Sequence, residues 1–293
     1  GINGVIDLYP ISRVLSHYSG YKAPPAGSPG KLTSGCGYTF YRDNLFDDII
    51  EPSVYYSCPV HNCIHREVIS WNGVLMNTER ATDEARSEFL RSSDSWFRPA
   101  AIRTGPDGAM YVADLYRLVI EHPEWIDDTL EKEMIADGRL RAGHDKGRIY
   151  KIYPDSVELH KKANLAGTGP QALAKLMDSS NGWQRDTAHM MLTWLDKEEQ
   201  RKAIPNLHLV LNSQFPAARA QALSALNDLE SLWPKAMQKG LEDKHPGVRR
   251  NALRVGGGLL NKNSELGQMV VSLLDDEDAH VQRRAAYPLG YWD

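Results

Sequence analysis

Hydrophobic and polar positions follow two different patterns along the chain, and the change falls near residue 155. Before that point, short apolar runs alternate with Gly, Pro and aromatic residues, as in β-strands joined by turns. After it, Ala and Leu recur at helical spacing. The pattern therefore predicts a multi-domain protein of β plus α class, with a strand-rich domain over 1–155 and a helical domain over 156–293.

The helical half repeats itself with a period of 30 to 34 residues. One aligned column holds an arginine in three segments and a glutamine in the fourth, namely Arg185, Arg219, Arg249 and Gln282. Three residues later every segment has an alanine, namely Ala188, Ala222, Ala252 and Ala285. A fixed period of this size predicts stacked helical hairpins, because each hairpin has one apolar face that only a neighbour can bury. The stretches HPGVRRNAL and DAHVQRRAA resemble HEAT repeats, and we interpret the arginine column as a stabilising ladder, with a partner-binding surface as the alternative.

The strand-rich half contains one clear unit of four predicted strands. AAIRT and AMYVADL have strand patterns, and the GPDG between them predicts a tight turn, because Pro suits its first corner and Asp-Gly suits the hairpin. YRLVIE at 116–121 predicts a third strand and GRIYKIY at 147–153 a fourth, with a helix at 126–136 inserted between them. Four short antiparallel strands make one blade of a β-propeller, and a partial blade is predicted around 33–72.

Composition, charge and length bear on the class of protein, on membrane spans and on the number of blades, but they do not change the predicted domains. The chain is 42% hydrophobic and 25% charged, the profile of a soluble globular protein, and its formal net charge of -4 gives no reason to expect a nucleic-acid partner. No apolar run approaches the roughly 20 residues needed to span a bilayer, so we expect no membrane span. About 150 residues hold roughly three blades, whereas propellers close with four to eight. Because the chain also begins with Gly1, we interpret it as a piece of a longer protein, with the missing blades in the same chain or in another subunit.

Five stretches, in chain order, carry a resemblance to a known family. They are VIDLYPISRVLSHY, LTSGCGYTFYRDNLF, SCPVHNCIHREV, SEFLRSSDSWFRPAAIRTGPDGAMYVADLYRLVIEHPEWI and RAGHDKGRIYKIYP. They resemble successive motifs of large bacterial membrane-bound dehydrogenase proteins, which are related to the sorbosone and soluble glucose dehydrogenase propellers. In that family the propeller is followed by HEAT repeats and often by a cytochrome c domain. The resemblance covers nearly the whole chain, and the motifs occur in the family's order.

The resemblance implies an exported, periplasmic enzyme of the quinoprotein type. Such propellers bind pyrroloquinoline quinone (PQQ) and calcium on the axial face, oxidise a sugar or an aldehyde, and pass electrons to haem c in a cytochrome c domain or protein. This chain departs from a full member because the first blades are absent and no CxxCH motif is present. The alternative is a non-catalytic propeller and HEAT scaffold that mediates protein–protein interaction in a larger complex.

The stretch SCPVHNCIHREV, residues 57–68, concentrates two cysteines, two histidines and an arginine in twelve positions. Covalent haem attachment needs Cys-x-x-Cys-His, and this spacing differs, so we expect no covalent haem in the segment. Zinc bound by Cys58, His61, Cys63 and His65 is disfavoured, because on a strand Cys58 would face away from the other three. Two interpretations remain open. The histidines line the central channel of the propeller, or they hydrogen-bond the backbone between blades, and in either case we expect no metal ligand here.

A second group of charged residues lies in FRPAAIRTGPDGAMYVADLYR. Asp114 ends a predicted strand and Arg117 follows it, so the two could form a charged pair that lines an axial pocket. Arginine suits the carboxylates of a quinone because its guanidinium binds them with two parallel hydrogen bonds, and a histidine could act as general base. The candidate catalytic residues are His61, His65 and Asp114, and the candidate cofactor-binding residues are Arg66, Arg98 and Arg117. The alternative is a structural Asp–Arg pair that ties adjacent blades.

Overall fold

The computed structural model describes residues 6–12, 14, 30–46, 49–122, 124, 126–290 and 292, so part of the stretch VIDLYPISRVLSHY lies outside the described residues. The fold is of mixed β and α class and divides into two compact units. The sheet unit comprises Gly1–Tyr41, Leu45–Ser70 and Met76–Leu159. The helical unit comprises Arg42–Asn44, Trp71–Leu75 and His160–Asp293.

The described strands form three sheets. In chain order they are β1 Asp7–Leu8, β2 Gly30–Lys31, β3 Cys36–Phe40, β4 Ser53–Cys58, β5 Cys63–Asn72, β6 Leu75–Arg80, β7 Leu90–Arg91, β8 Pro99–Thr104, β9 Met110–Asp114 and β10 Arg148–Ile152. β1 pairs with β2, β3 to β6 follow one another in a five-stranded sheet that β7 joins beside β5, and β8 to β10 form a three-stranded sheet with β9 at its centre. The β-branched and aromatic residues of these segments favour strands because they pack well on a pleated surface.

The main core of the sheet unit is shared by the two larger sheets. Tyr55 and Ile64 from the five-stranded sheet are buried in one apolar cluster with Ile102 and Val112 from the three-stranded sheet. In each sheet the two residues come from adjacent antiparallel strands. The cluster therefore holds β4, β5, β8 and β9 in fixed relation, and the six residues expected to do chemistry lie on these strands or next to their ends.

The three-stranded sheet agrees with the predicted unit in all but one strand. Gly105 N donates to Ala109 O at 2.8 Å, which closes the predicted GPDG turn, and GRIYKIY forms β10. The predicted strand at 116–121 is wrong, because these residues form no strand. Tyr116 has a positive φ of 49°, and its N–H donates to Asp114 Oδ1 at 2.8 Å. This local hydrogen bond turns the chain at the end of β9, so the third strand cannot continue.

The helix inserted before β10 is confirmed as α1, Asp128–Ala136. It begins after Asp127, whose Oδ1 accepts hydrogen bonds from Thr129 N at 3.0 Å and Leu130 N at 3.4 Å. This cap satisfies backbone donors that have no partner inside the helix. Met134 on the inner face is fully buried in a small cluster with Val119 and Ile126, which anchors the insertion.

The helical unit is built from short helices in which alternate members pack together. They are α2 Pro170–Leu176, α3 Gly182–Trp194, α4 Lys197–Val210, α5 Pro216–Asp228, α6 Pro234–Leu241, α7 Pro246–Val255, α8 Ser264–Ser272 and α9 Ala279–Leu289. Helices α3, α5, α7 and α9 contact one another in succession. The repeated alanines are fully buried, which allows this close approach. Within the described part of the chain, no helix has the length and apolar character needed to cross a lipid bilayer.

The arginine column forms the predicted ladder, and the hydrogen bonds confirm it. Each member donates to the backbone carbonyl six residues before it. The pairs are Arg185–Ser179 at 2.7 Å, Arg219–Ser213 at 2.8 Å, Arg249–Asp243 at 2.8 Å and Gln282–Asp276 at 2.7 Å. Arg219 and Arg249 also bind the carboxylates of Asp243 and Asp276 in the following repeat. The column thus fixes the loop that precedes its own helix and links successive repeats.

Candidate functional site

The stretch SCPVHNCIHREV is a hairpin and not one continuous strand. β4 ends at Cys58 and β5 begins at Cys63, and these two residues are partners in the antiparallel register. His61 lies in the turn between them, where Asn62 has a positive φ of 55°. The prediction that Cys58 faces away from Cys63 is therefore wrong, because Pro59 and Asn62 turn the chain, and cross-strand partners share a face.

The two cysteines of this hairpin are buried free thiols. The hydrogen bond with Cys58 and burial raise the pKa of Cys63 well above its ordinary value. Both residues are fully buried, and neither forms a disulfide. Because the thiolate is the reactive form, Cys63 is suited to packing more than to catalysis.

The side chain of Asn62 holds the turn in place. Its amide oxygen accepts from Ser12 Oγ at 2.6 Å, and its amide nitrogen donates to Ser95 O at 3.1 Å and Phe97 O at 2.5 Å. Asn tolerates the left-handed backbone better than most residues. Sequence reasoning missed Asn62, although an Asn flanked by polar residues between two strands is a recognisable turn signal.

His65 lies on β5 and forms a buried pair with Glu88. Its Nδ1 is 2.7 Å from Glu88 Oε2, and its Nε2 is 3.6 Å from Glu67 Oε1. Both His65 and Glu88 side chains are fully buried. Burial lowers the pKa of His65, but the contacts with Glu67 and Glu88 outweigh burial and raise this pKa to about 9. His65 is therefore an imidazolium at neutral pH, and its contact lowers the pKa of Glu67.

Glu88 connects His65 to the backbone just after the first strand. Its Oε1 accepts from Tyr9 N at 2.9 Å and from Arg80 Nη2 at 3.2 Å. Arg80 also donates to the carbonyl oxygens of Asp7 and Ser87. Two cations, His65 and Arg80, thus surround this carboxylate, which explains how charged groups remain stable without water. The acid lies in the motif SEFLRSS, but its partners are distant in sequence, so spacing alone could not identify it.

His61 differs from His65 in its protonation at neutral pH, because its pKa is lowered and not raised. Burial lowers its pKa to about 4, against the opposing effect of the Glu88 charge. The ring packs closely on Gly30, since a β-carbon at that position would lie 2.6 Å from His61 Cδ2. The two predicted catalytic histidines are therefore a neutral and a protonated ring at neutral pH, and both respond to the charge of Glu88.

Arg66 points away from His65, as expected for adjacent residues of a strand. Its Nε donates to Glu84 Oε1 at 2.8 Å, and its Nη2 donates to Asp83 Oδ1 at 2.5 Å. The Arg66 side chain is only 4% exposed. Burial raises the pKa of Glu84 despite the neighbouring guanidinium. Arg66 therefore anchors the short 3₁₀ helix Thr82–Glu84.

Arg98 is the largest fully buried side chain among the described residues. Its guanidinium donates to four backbone carbonyls, those of Pro59 at 2.8 Å, Val60 at 3.4 Å, Arg117 at 3.0 Å and Leu118 at 2.8 Å. Burial lowers the pKa of this group, and nearby carboxylates oppose the shift. Arg98 thus joins the His61 turn to the segment after β9.

Asp114 and Arg117 are close in the chain but form no direct charged pair. Asp114 Oδ1 accepts from the backbone N–H of Arg98 at 2.7 Å and of Tyr116 at 2.8 Å. The other carboxylate oxygen, Oδ2, and Arg117 Nε are buried and have no hydrogen-bond partner among the described residues. Arg98 therefore connects the His61 turn, through the carbonyls of Pro59 and Val60, to the segment that holds Asp114 and Arg117. Arg66 lies on the other face of β5.

Arg66 and Arg98 are already engaged by partners within the protein, whereas the assignment of Arg117 to a quinone stays a prediction. The donors of Arg66 bind carboxylates of the protein, and those of Arg98 bind backbone carbonyls, so a quinone carboxylate would have to displace these partners. No set of three or more His, Cys, Asp or Glu residues within the described ranges is arranged to hold a metal ion. The expectation of no metal ligand stays a prediction.

Comparison with known proteins identifies one family. Residues 3–156 match the family described as Domain of unknown function (DUF7133). No curated protein matches the chain. Among solved structures, the crystal structure of an engineered protein from the Northeast Structural Genomics Consortium is 17% identical, with a TM-score of 0.29, over 41% of this chain and 60% of that chain. The match spans less than two thirds of that protein, and a likeness of this degree carries no argument.

Proposed function

This chain belongs to the DUF7133 family, and on that premise we propose that it is a non-catalytic scaffold that binds a protein partner within a larger assembly. In this proposal the sheet unit supplies blades of a β-propeller and the helical unit is a HEAT-type solenoid. The strand hairpins and the arginine ladder at fixed intervals support that architecture. Propellers and solenoids both present broad binding surfaces.

The observation that carries the proposal is that the strongest candidate side chains bind partners inside the protein. A catalytic or cofactor-binding group must reach a substrate or cofactor. His65, Arg66 and Arg98 are instead buried, and each is bound to partners inside the sheet unit. Their arrangement stabilises the hairpin and the segment after β9, which is the requirement of a rigid scaffold.

A parallel measurement of binding and turnover tests the scaffold role. We expect the full chain with PQQ and calcium to reduce no redox dye with sugars or aldehydes, while affinity capture with cross-linking recovers a defined partner. The variant His61→Asn, checked for folding by circular dichroism, should recover the same partner equally. Dye reduction by the wild-type chain that His61→Asn abolishes would overturn the proposal.

The second candidate is a dehydrogenase of the sugar- or aldehyde-oxidising type, periplasmic and coupled to haem c by the resemblance. One observation favours it: His61 and His65 have pKa values pushed apart, to about 4 and about 9. Pairs of titratable groups with diverging pKa values are typical of acid–base catalysis. The buried Oδ2 of Asp114, which has no hydrogen-bond partner among the described residues, adds an acceptor beside Arg98. PQQ and calcium would then be held mainly by blades beyond this chain.

A reconstituted full propeller distinguishes this candidate. Turnover that shows one pH limit set by His61 and one set by His65, each lost in the corresponding asparagine variant, would favour it over the scaffold. Unchanged turnover in both variants would remove these histidines from the chemistry.

A further inference from the structure

A basic groove lies between α7 and α9 in the helical unit. Its volume is about 370 Å³, and four arginines line it, namely Arg250, Arg254, Arg283 and Arg284. His280 and Tyr287 complete the α9 side. Arg250 and Arg254 are four residues apart and therefore share one face of α7, while Arg283 and Arg284 both line the groove from α9.

The groove arginines differ from the ladder arginines in their partners. Arg249 on the same α7 binds Asp276, but none of the four groove arginines forms an ion pair with a carboxylate among the described residues. Within the described part of the chain, Arg254 donates to two neutral groups, Asn251 Oδ1 at 3.0 Å and Ser224 Oγ at 2.9 Å. Four like charges without counter-charges are attracted to an anionic partner.

We propose that this groove binds a carboxylate-rich segment of a partner protein, a short run of Asp and Glu residues. The proposal rests on the scaffold function and names the chemistry of its partner. The planar guanidinium matches a carboxylate with two parallel hydrogen bonds. Two adjacent helices that each carry two such groups offer several carboxylate sites within one short stretch.

The surroundings of the groove favour an acidic peptide over a nucleic acid. The chain has a net charge of -4, and two exposed acids, Asp275 and Glu277, precede α9. These charges oppose a long polyanion, whose affinity depends on many phosphate contacts. Tyr287 is the one aromatic side chain among the described residues that line the groove, and Arg284 lies 5.5 Å from the centre of its ring, so the groove has no row of aromatic rings on which successive bases could stack.

Fluorescence anisotropy with labelled peptides tests the proposal on the full chain. Hexaglutamate should bind and hexaglutamine should not. Each of Arg250→Gln and Arg283→Gln should weaken hexaglutamate about fivefold, and the double variant about 25-fold. Arg201→Gln removes an equal charge from an exposed position of α4 and should leave binding unchanged. Raising salt from about 0.1 M to about 1 M shortens the screening length from about 10 Å to about 3 Å and should abolish binding.

The outcomes separate this proposal from the scaffold function. Absence of hexaglutamate binding, or equal loss in Arg201→Gln, overturns the acidic-segment assignment. Binding of oligothymidylate that hexaglutamate does not displace would make the groove a nucleic-acid site and overturn it too. If a defined partner is cross-linked to the full chain and both groove variants retain it, the scaffold function stands and only the groove assignment fails. If no partner is found but hexaglutamate binds as expected, the groove assignment stands and the scaffold function fails.

Discussion

Arg219 and Asp243 form a two-point ion pair that links one helical repeat to the next, with Nε–Oδ2 at 2.6 Å and Nη2–Oδ1 at 2.7 Å. The exposed fractions of the two side chains are only 7% and 9%. Burial alone would raise the pKa of Asp243, but the hydrogen bonds from Arg219 and from the backbone lower it. The pair therefore stabilises the fold at neutral pH, and this contribution is lost as the pH falls through the lowered pKa of Asp243.

Replacing Arg219 by Met should destabilise the helical unit by about 3 kcal/mol, because the buried Asp243 carboxylate then loses its cationic partner and keeps the hydrogen bond from His245 N. Urea unfolding of the full chain, followed by far-ultraviolet circular dichroism, measures the change. Adding Asp243→Asn to Arg219→Met should recover part of the loss. Arg201→Met, on an exposed face of α4, is the matched control and should change stability by less than about 0.5 kcal/mol.

The His65–Glu88 pair predicts a pH dependence above neutrality. The pKa of His65 is raised from about 6.5 to about 9, so the stabilising effect is complete below about pH 6.5 and is lost as the pH rises through about 9. A shift of this size corresponds to about 3 kcal/mol. The difference in unfolding free energy between wild type and His65→Gln should therefore be largest at acidic pH and shrink above pH 9. An NMR titration of the ring, with a midpoint near the unperturbed value, would contradict the assignment.

Arg98→Lys should destabilise the sheet unit by about 3 kcal/mol or more. An ammonium is a compact donor that cannot span the four carbonyls bound by the guanidinium, and buried carbonyls left unpaired cost about 1 to 3 kcal/mol each. Arg103→Lys, on an exposed position of the same β8, serves as the control. Equal urea midpoints for the two variants would show that these carbonyls do not depend on the guanidinium.

Gly37→Ala should be more damaging than Gly73→Ala. Both glycines have positive φ, 54° and 56°, so either alanine strains the backbone by about 1 kcal/mol. Only at Gly37 would the new β-carbon collide with the Ala100 carbonyl oxygen of β8, whereas nothing lies near Gly73. Thermal unfolding measures the difference, and we expect a lower melting temperature for Gly37→Ala than for Gly73→Ala. Identical melting temperatures would show that β3 shifts to accommodate the new β-carbon without loss of stability.

The sequence predicted those parts of the fold that depend on local pattern. The β8–β9 hairpin, α1 and the arginine ladder follow from turn chemistry, capping and period, all of which a single stretch contains. Pattern failed at 116–121, where one hydrogen bond from Tyr116 to Asp114 overrides a run with strand character. The hydrophobic pattern of residues 116–121 cannot reveal this hydrogen bond, because the same residues are compatible with either a strand or a turn.

The candidate site was only partly accessible to sequence reasoning. His61, His65 and Arg98 stand out by residue type, but their partners do not. Glu88 lies 23 residues from His65, and the carbonyls that Arg98 binds in the His61 turn lie 38 and 39 residues away. Which donor meets which acceptor is a property of the tertiary fold, so residue type could nominate these side chains without showing that most are already occupied.

The reach of Arg98 has a consequence for biosynthesis. Its guanidinium joins Pro59 and Val60 to Leu118, so the loop that contains His61 gains its clamp only after residue 118 has left the ribosome. Before that point the growing chain lacks one of the segments that Arg98 bridges, so the turn cannot yet hold its full set of hydrogen bonds. The final geometry of this loop therefore depends on a stretch of chain that is made well after the hairpin itself.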